Sequence, residues 1–324
     1  MTLVQKPKKI LQDVTGVLLL DKPFGLSSNT ALQKVKRLFN AKKAGHTGSL
    51  DPLATGMLPI CFGKATKFCQ YLLATDKTYR VTITFGKQTT TGDREGEIIA
   101  EKPVPDNLSQ LLIDIIPKFL GEQTQIPPMY SALKKDGKPL YELARAGITI
   151  EREARKIHIY DLQLIQCENH SAVLQVHCSK GTYVRTLAED LATAIGTCGF
   201  VSALHRVSIG NFLESQMISL DDLEKALAIT SNKLNIQEND LIIASQASNT
   251  ALNNHLIPMK QLFSAWPAMV VSAFDFTILK SGQSINIPEN SHNSQWISLQ
   301  NQSLQFIGIA EKIASDQIIL RKSV

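Results

Sequence analysis

One carboxylate stands alone in the segment GHTGSLDPLATG, residues 45–56, where Asp51 is the single acid among three glycines, two threonines and a proline. Glycine tolerates positive φ angles and the Asp-Pro step biases Asp51 away from the helical region, so we expect a tight loop of fixed shape. Such a loop could display the carboxylate for chemistry. Asp51 could instead cap a helical turn, because Asp is a favoured N-cap and proline a favoured first helical residue. The segment alone favours the cap.

Signatures of other common chemistries are absent from the sequence. It contains no GxGxxG, GxxxxGK[ST], HExxH or GxSxG, which argues against a Rossmann cofactor, nucleotide hydrolysis, zinc hydrolysis and α/β-hydrolase chemistry. The five cysteines are scattered without zinc-ligand spacing, so we expect reduced thiols. His46 is the one histidine singled out, although a loop histidine near an acid is most often only hydrogen-bonded at the surface. The pattern favours chemistry without a cofactor or metal.

Positive charge is concentrated in the part of the chain that contains this loop. Residues 1–100 hold 15 Lys and Arg against 7 Asp and Glu, whereas the whole chain has a formal charge of +5. A local excess of this kind fits a polyanionic partner such as RNA, and a solvated basic surface is the alternative. With 44% apolar and 19% charged residues, the composition is that of a globular protein and not of a disordered one.

Predicted elements on both sides of the glycine loop must hold it in place. The apolar run at 16–23 predicts a buried strand, and the serines after it predict the N-cap of a helix over 27–40 with a basic outer face. Beyond the loop, 63–76 has helical spacing. Residues 77–86 alternate between apolar and polar types, which predicts a half-buried strand with Tyr79 on its apolar face.

A second glycine turn, SKGTY at 179–183, is expected to follow a strand pair and to open a helix. The strands at 157–165 and 172–180 are predicted to pair around Asn169. Before them, residues 122–154 mix proline, glycine, paired lysines and tyrosines without a clean period. This composition predicts a long, partly helical excursion that either contacts RNA or is an elaborated surface loop.

A domain boundary is expected where the composition changes. Residues 230–262 are rich in Asn, Ser and Gln, and short alternating segments separated by turns follow from 269 onwards, which predicts a small all-β module. The N-terminus carries polar residues inside its apolar stretch, and no run reaches membrane-spanning length. We therefore expect a cytoplasmic protein without a membrane segment.

Four segments in this order together resemble the TruB family of tRNA pseudouridine synthases: GVLLLDKPFGLSS, AGHTGSLDPLATGMLPICFGKATK, DKTYRVTITFG and CSKGTYVRTLAEDL. The segment IPPMYSALKKDGKPLYELARAG is similar to the RNA-gripping insertion of that family. The resemblance covers residues 15–215, and beyond 265 the chain is only loosely similar to the family's RNA-binding PUA-type module. It implies a mixed α/β (α+β) pseudouridine synthase fold with a largely antiparallel central sheet, followed by a small all-β PUA-like domain.

The resemblance also implies a reaction, the isomerisation of the uridine at position 55 in the T-loop of tRNA to pseudouridine, by base flipping and without cofactor or metal. Asp51 matches the family's nucleophile, which could act through a covalent adduct or a carboxylate-assisted glycal. Arg185 matches the arginine that pairs with this aspartate. From the residues alone, an arginine just after a glycine turn would be a surface or phosphate contact.

Further residues of the family's site are matched by position. Tyr79 corresponds to the tyrosine that stacks on the flipped uracil, and Tyr183 and Leu204 to residues that close the pocket around it. His46 resembles the histidine that fills the space left in the T-loop stack when the target base leaves it. Without the resemblance, Tyr79 would be a core aromatic, and Tyr183 and Leu204 would be packing residues.

The basic first third of the chain is expected to contact phosphates, with Lys22, Lys64 and Lys67 as candidates. One departure from the family is His205, where members often carry a second arginine beside Arg206. A neutral histidine there is expected to weaken one phosphate contact and to leave the chemistry intact.

The sequence therefore predicts a catalytic domain at 1–230 with an insertion at 122–154, a connection at 231–262 and a small β domain at 263–324. The expected partner is the T-arm of tRNA, with no obligatory protein partner and a monomeric chain. A guide-RNA-dependent relative would be expected to lack the insertion and to carry a fuller C-terminal domain. A non-catalytic tRNA-folding helper should have lost the aspartate or the arginine, and both are present.

Overall fold

The computed structural model describes residues 11–233, 251–288 and 294–324, with backbone only for 230–233. Within these ranges, nine strands form one large sheet. The strands are β1 Gly16–Lys22, β2 Ala44–His46, β3 Ala54–Phe62, β4 Lys77–Phe85, β7 Gly121–Gln125, β10 Arg155–Glu168, β11 Ser171–Cys178, β12 Gly199–Ile209 and β13 Ile218–Ser219. Two short hairpins lie outside it and consist of β5 Lys87–Thr89 with β6 Ile98–Glu101, and β8 Lys134–Lys135 with β9 Lys138–Pro139.

The order in the large sheet is β13-β1-β3-β12-β4-β11-β10-β7, with β2 paired to β3. Two neighbouring pairs in this order are parallel, β1 with β13 and β12 with β3, and the others are antiparallel. The mixed α/β fold with a largely antiparallel sheet that the sequence predicted is confirmed. The parallel pairing of β12 with β3 is the one that matters for the site, because Leu204 and Arg206 lie opposite Ala54 and Gly56, directly after the Asp51 loop.

The helices lie between these strands and in the C-terminal part. They are α1 Ser28–Leu38, α2 Cys69–Leu73, α3 Leu108–Ile115, α4 Leu140–Arg145, α5 Val184–Ala194, α6 Leu220–Lys233, α7 Met259–Leu262 and α8 Ala273–Lys280. Short 3-10 turns occupy Gly63–Phe68, Ile116–Phe119 and Glu214–Gln216. The N-cap predicted for the first helix is confirmed, since the Ser27 side chain accepts a hydrogen bond from the amide of Thr30.

One face of the sheet is covered by α1, α3 and α5, which bury their apolar sides against β4, β10, β11 and β12. The alternation along β4 is as predicted: its odd-numbered apolar residues are buried and Arg80 is exposed. On α5, Leu187 and Leu191 point into the same core. This packing fixes the first turn of α5, which carries Arg185, against the sheet.

The other face of the sheet packs against the segment after Phe62 and against the C-terminal part. Val17 and Met57 from β1 and β3 share a core with Phe68, Phe263 and Ile309. A second sheet in the C-terminal part has the order β14-β16-β17-β18-β15 and consists of β14 Ala268–Val270, β15 Ile285–Asn286, β16 Trp296–Gln300, β17 Phe306–Ala314 and β18 Gln317–Ser323. The small C-terminal β module is thus present and rests on the large sheet.

The C-terminal module also contains a helix that the alternating pattern did not predict. Residues Ala273–Lys280 form α8, where we expected strand. The Ser272 hydroxyl accepts a hydrogen bond from the Asp275 amide at 3.0 Å and caps the helix. The alternation of Phe274, Phe276 and Ile278 is typical of a strand, whereas Ser272 three residues before Asp275 is typical of a helix N-cap, and the structure has the helix.

The predicted excursion at 122–154 is partly helical, as expected. It leaves β7, forms the β8/β9 hairpin with Gly137 at φ 81° and ends in α4 before β10 begins. Most of the connection predicted at 231–262 lies outside the described residues, so the predicted domain limits remain a prediction. No helix in the described part of the chain is long and apolar enough to cross a membrane.

Candidate active site

The Asp51 loop is tied down at several backbone positions. It joins β2 to β3, and Gly48 within it adopts φ 67°, which glycine reaches without strain. The Ser28 hydroxyl accepts a hydrogen bond from the Leu50 amide at 2.7 Å and donates one to the Leu50 carbonyl at 2.9 Å. The Gly25 amide donates to the Pro52 carbonyl at 2.9 Å. The loop is therefore held by the turn after β1 and by the first residue of α1.

Asp51 does not cap a helix. A hydrogen bond from the Ala54 amide to the Asp51 carbonyl closes a turn, and β3 begins directly after it. The side chain instead meets Arg185, whose Nη2 lies 3.1 Å from Asp51 Oδ2. The other carboxylate oxygen accepts no hydrogen bond from the residues that the structure describes. Of the two roles open at the sequence level, the displayed carboxylate is the one that the structure supports.

Arg185 has its guanidinium surrounded by acceptors. Nη2 donates to the Tyr130 carbonyl at 2.6 Å, and Nη1 donates to the Thr91 carbonyl at 3.0 Å. Nη1 also lies 3.3 Å from Asp93 Oδ2. The side chain is almost fully buried. A planar guanidinium with fixed donors is suited to such a site, because each contact restricts the direction in which it faces Asp51.

Asp93 is a functional candidate that the sequence did not single out. It is buried, and its Oδ1 accepts from the Thr91 hydroxyl at 2.6 Å and from the Glu95 amide at 3.0 Å. The surrounding turn is joined to β12 through a hydrogen bond from Arg94 to Val201. The available signal was the position of Asp93 next to a glycine in the run TTTGDREGE. Its pairing with an arginine far along the chain is visible only in the fold.

The electrostatics of Asp51 combine opposing effects. Burial raises the pKa of its carboxyl group above the ordinary value of 3.8, while the positive charge of Arg185 lowers it and the negative charge of Asp93 raises it again. Arg185 thus favours the ionised form against the low polarity of the cleft. An ionised carboxylate with one free oxygen is a competent nucleophile or base.

Tyr79 and Arg206 lie opposite one another on neighbouring strands and point to the same face of the sheet. Burial raises the pKa of the Tyr79 phenol above 10, so this group is neutral at physiological pH. Arg206 is 1% exposed and donates to the Met57 carbonyl at 2.7 Å and to the Gly48 carbonyl at 2.8 Å. It thereby ties the Asp51 loop, through Gly48, to strands β3 and β12.

Lys22 is fully buried, in contrast to its predicted role as a phosphate contact. Its ammonium donates to the carbonyls of Leu26 at 2.6 Å, Pro23 at 2.9 Å and Pro52 at 3.4 Å. Burial lowers its pKa from 10.5 to about 8. This buried position does not fit a phosphate contact, because β1 continues through Asp21 to Lys22 and the lysine side chain joins two loops instead of facing solvent.

The other two predicted phosphate contacts, Lys64 and Lys67, differ in the contacts that their side chains make. Lys64 is exposed, whereas Lys67 donates to the Ser323 carbonyl of the C-terminal module at 3.3 Å. His205 is also engaged, since its Nδ1 lies 2.8 Å from the Thr55 hydroxyl and its Nε2 lies 3.2 Å from Glu214. His205 therefore contacts both β3 and the turn at Glu214–Gln216, and it does not stand free at a phosphate position.

A cavity of about 350 Å³ opens above the acid and arginine pair. Several of the predicted residues line it together with others that the sequence did not suggest; the lining includes Asp51, Leu73, Lys77, Tyr79, Ser131, Thr182, Tyr183, Arg185, Leu204 and Arg206. Tyr183 is the N-cap of α5, and the buried Gln125 side chain holds its backbone through hydrogen bonds at 2.8 and 3.0 Å. The volume and lining suit a ligand the size of a nucleoside.

Lys77 is a lysine of the cavity lining whose ammonium group bonds to backbone carbonyls. The Lys77 ammonium donates to the carbonyls of Leu73 and Thr75, and burial lowers its pKa to about 8.

His46 lies outside the cavity lining, on β2, and its buried Nδ1 has no hydrogen-bond partner among the described residues. Burial and the charge of Arg206 lower the His46 pKa, so its ring is neutral. The described residues contain no group of three His, Cys, Asp or Glu that could hold a metal ion.

Solved structures share this fold. A chain in the crystal structure of a Cbf5-Nop10-Gar1 complex superimposes with a TM-score of 0.70, at 22% identity, over 96% of this chain and 84% of that chain. A chain of the archaeal box H/ACA sRNP Nop10-Cbf5 complex gives a TM-score of 0.67 at 18% identity, over 99% and 88% of the two chains. At these identities the likeness concerns the fold.

Sequence comparisons are more specific. A model described as the TruB family pseudouridylate synthase N-terminal domain matches residues 36–184, and one described as the tRNA pseudouridylate synthase B C-terminal domain matches residues 185–264. The tRNA pseudouridine synthase B of Coxiella burnetii (strain Dugway 5J108-111) is 45% identical over 100% of this chain and 99% of its own length. That of Pseudomonas aeruginosa (strain UCBPP-PA14) is 46% identical over 98% of both. With similarity of this extent, the chain belongs to the TruB family of pseudouridine synthases.

Proposed function

We propose that this protein isomerises the uridine at position 55 in the T-loop of tRNA to pseudouridine, with Asp51 as the nucleophile. The observation that carries the proposal is the 3.1 Å contact between Asp51 and Arg185 at the base of a cavity large enough for a nucleoside. The name of the relatives, tRNA pseudouridine synthase B, supports tRNA as the substrate.

The reaction breaks the bond between C1′ of the ribose and N1 of uracil and forms a bond from C1′ to C5. The hydrogen on C5 leaves as a proton and N1 gains one, so no oxidant or reductant is needed. Asp51 either attacks C1′ and holds the sugar as an ester, or assists formation of a glycal by accepting a proton from C2′. Both routes require an ionised carboxylate with a free oxygen and a fixed direction. The pair with Arg185 meets these requirements.

The target base has to leave the T-loop stack to reach the carboxylate, because its reacting carbon is inaccessible in a stacked loop. In this proposal the uracil enters the cavity and stacks on Tyr79, while Tyr183 and Leu204 close around it. His46 lies on β2 beside the loop, with a buried nitrogen that a nucleotide could supply with a partner. We propose that it takes the place of the departed base in the stack.

RNA contacts outside the cavity would come from the basic first third of the chain and from the excursion at 122–154. Lys64 remains a candidate and Lys67 a partly engaged one. The exposed Lys134 and Lys135 of the β8/β9 hairpin extend the positive surface. We propose that the protein acts in the cytoplasm as a monomer, without an obligatory protein partner.

The test is release of tritium from a tRNA transcript labelled at C5 of uracil. Wild-type protein should release tritium from the transcript with uridine 55 and not from one with cytidine at that position. Asp51→Asn should abolish release, whereas Asp106→Asn, a change at an exposed acid, should leave it unchanged. Release by Asp51→Asn at the wild-type rate would contradict the assignment of the nucleophile. Binding of tRNA without release by any protein would favour the folding helper.

A further inference from the structure

Two turns stand beside the Asp51 loop and take no part in the lining of the catalytic cavity. The turn after β1 is joined to the loop by a hydrogen bond of 2.9 Å to the Pro52 carbonyl. The turn at 91–96 carries Asp93, which contacts the arginine that faces Asp51. Burial and the negative charges of Asp93 and Asp51 raise the pKa of Glu95 in the same turn. Both turns therefore lie close to the proposed nucleophile.

Phe24 gives the turn after β1 an exposed aromatic ring. It is 58% exposed, whereas Leu26, two residues further on, packs against the main core. In the described part of the chain no second aromatic ring contacts it, and one basic side chain, that of Arg94, lies over it. Exposed rings of this kind are surfaces on which proteins stack unpaired bases, because every base has a flat π face.

Arg94 belongs to the turn at 91–96, and its Cζ atom lies 5.5 Å from the centroid of the Phe24 ring. Its side chain makes no hydrogen bond or ion pair with any residue that the structure describes. Its backbone is held in place, since the Arg94 amide donates to the Val201 carbonyl and the Val201 amide to the Gly92 carbonyl, both at 3.0 Å. A guanidinium that lies on a ring keeps N–H donors in its plane, and these suit a phosphate.

The place of this pair matters because of what the catalytic cavity can hold. At about 350 Å³ the cavity has room for one nucleoside, so the nucleotides on either side of a bound target remain outside it. Flipping the target out of its stack also removes a stacking partner from its neighbours, at a cost in free energy. An aromatic ring beside the Asp51 loop can replace the lost partner.

We propose that Phe24 and Arg94 form a platform for the nucleotide next to the target uridine. Its base stacks on the open face of the Phe24 ring, and its phosphate accepts hydrogen bonds from Arg94. The inference rests on the proposed function, since that function brings the target uridine to Asp51. It adds a contact that lies outside the cavity and outside the lysines considered as phosphate contacts.

The first test is affinity for an RNA hairpin with the sequence of the tRNA T-arm. Fluorescence anisotropy in an Asp51→Asn background measures binding while the RNA is not converted. Phe24→Ala should weaken binding about tenfold, and Phe24→Trp, which keeps a flat ring, should stay within about twofold of the parent. In proteins that retain Asp51, Phe24→Ala should leave the single-turnover rate at saturating protein unchanged, because the ring lies outside the cavity.

Abasic hairpins show whether a base is the partner of the ring. One hairpin lacks the base at position 54 and another lacks the base at position 56. Phe24→Ala should cost about tenfold in affinity with the intact hairpin and less than about twofold with the hairpin that lacks the stacked base. The position at which the two changes are not additive identifies the neighbour. Equal losses with all three hairpins would overturn the proposal.

The salt dependence of binding tests the phosphate contact. Arg94→Ala should weaken binding severalfold at low salt and reduce the slope of log affinity against log salt concentration by about one. Arg94→Lys keeps the charge and should keep the slope. An unchanged slope in Arg94→Ala would contradict the phosphate contact.

Matched controls change exposed side chains in the region of α3. Ile113→Ala and Lys118→Ala remove an apolar and a basic side chain there and should alter neither affinity nor its salt dependence. If Phe24 and Arg94 only join the two turns, Phe24→Ala should lower the urea midpoint and leave affinity unchanged, which would overturn the platform. Failure of the proposed reaction differs from both outcomes, because wild-type protein would then release no tritium.

Discussion

Asp93 lies directly behind Arg185, with its Oδ2 3.3 Å from the Nη1 atom of the arginine. The opposite nitrogen of the same guanidinium faces Asp51. The buried arginine is therefore balanced by two carboxylates, one within the protein and one at the cavity. Removing one partner of a buried ion pair leaves an uncompensated charge, so the two acids are expected to act on the reaction together.

Asp93→Asn should lower the single-turnover rate of pseudouridine formation by about 10- to 100-fold, because a positioning contact of Arg185 is lost while the arginine itself remains. The change keeps the shape of the side chain and removes its charge. Affinity for tRNA should be nearly unchanged, since Asp93 is buried away from the surface. Rapid-quench measurements with excess enzyme separate the two quantities.

Glu97→Gln is the matched control for this variant. Glu97 is an exposed acid in the same turn region and makes no ion pair among those found in the described residues. Its neutralisation should leave the rate as it is. A wild-type rate in Asp93→Asn would show that Arg185 needs no second carboxylate.

The pH dependence of the reaction should reflect Asp51. Burial raises the pKa of its carboxyl group above 3.8, and the reaction needs the ionised form, so the single-turnover rate should rise as the pH rises through this elevated pKa. Because the charge of Asp93 contributes to the elevation, Asp93→Asn should move the acid limb to lower pH. A purely structural effect would reduce the rate at every pH without moving the limb. An unchanged limb, or one moved to higher pH, would contradict the coupling.

Local patterns in the sequence were enough to predict the framework of the fold. Strand β4 alternates cleanly and helix α1 has a serine cap, and both are found where they were expected. The Asp51 loop was recognisable from its glycines, but its two possible roles were not separable, because the deciding contact comes from Arg185, far along the chain. Only the family resemblance joined the two in advance.

Residues whose roles depend on burial were the ones that sequence reasoning missed. Lys22 was predicted to contact phosphate and Arg206 was given no role of its own, yet both are buried and donate to backbone carbonyls near the Asp51 loop. Asp93 was passed over because an acid in a polar turn is ordinarily solvated. A side chain that serves as a scaffold for a loop cannot be told from a surface charge without knowing which strands lie beside it.

Gly56→Ala should destabilise the fold by about 3 kcal/mol, because two separate costs arise at this position. Gly56 adopts φ 93°, and an added Cβ would lie 2.8 Å from the backbone nitrogen of Arg206 and closer still to its carbonyl oxygen. Gly147→Ala is the control for the backbone strain of a positive φ alone, since Gly147 has φ 72° and no atom lies within 4 Å of the added Cβ. It should cost about 1 kcal/mol. Urea unfolding of both variants measures the difference, and equal losses would mean that the strands move apart freely.

Ser272→Ala should loosen helix α8, because the serine side chain caps the Asp275 amide. Loss of such an N-cap costs about 1 kcal/mol. Hydrogen exchange of the amides at 273–276 should become about fivefold faster, and Ser284→Ala, a change at an exposed serine outside the helix, should have no effect there. Unchanged exchange in Ser272→Ala would mean that packing alone holds the helix.

Lys22 gives a pH dependence of stability whose sign can be worked out. The unfolded chain keeps this proton up to a pKa near 10.5, whereas the folded chain releases it at about 8, so between these values the unfolded state binds more protons and the unfolding free energy rises with pH. Below pH 8 the full penalty for the buried charge applies, and a pKa difference of this size corresponds to about 3 kcal/mol. Wild-type protein should therefore gain stability relative to Lys22→Met between pH 8 and 10, as measured by urea unfolding.

The comparison with Lys22→Met is needed because the second buried lysine, Lys77, also has a pKa lowered to about 8. Lys77 is present in both proteins, so its contribution cancels in the difference. Lys64→Met changes an exposed lysine and should give a difference from wild type that does not vary with pH. A flat difference between wild type and Lys22→Met would mean that the three carbonyls around the ammonium offset the cost of its burial. Lys22 would then keep its ordinary pKa in the folded protein.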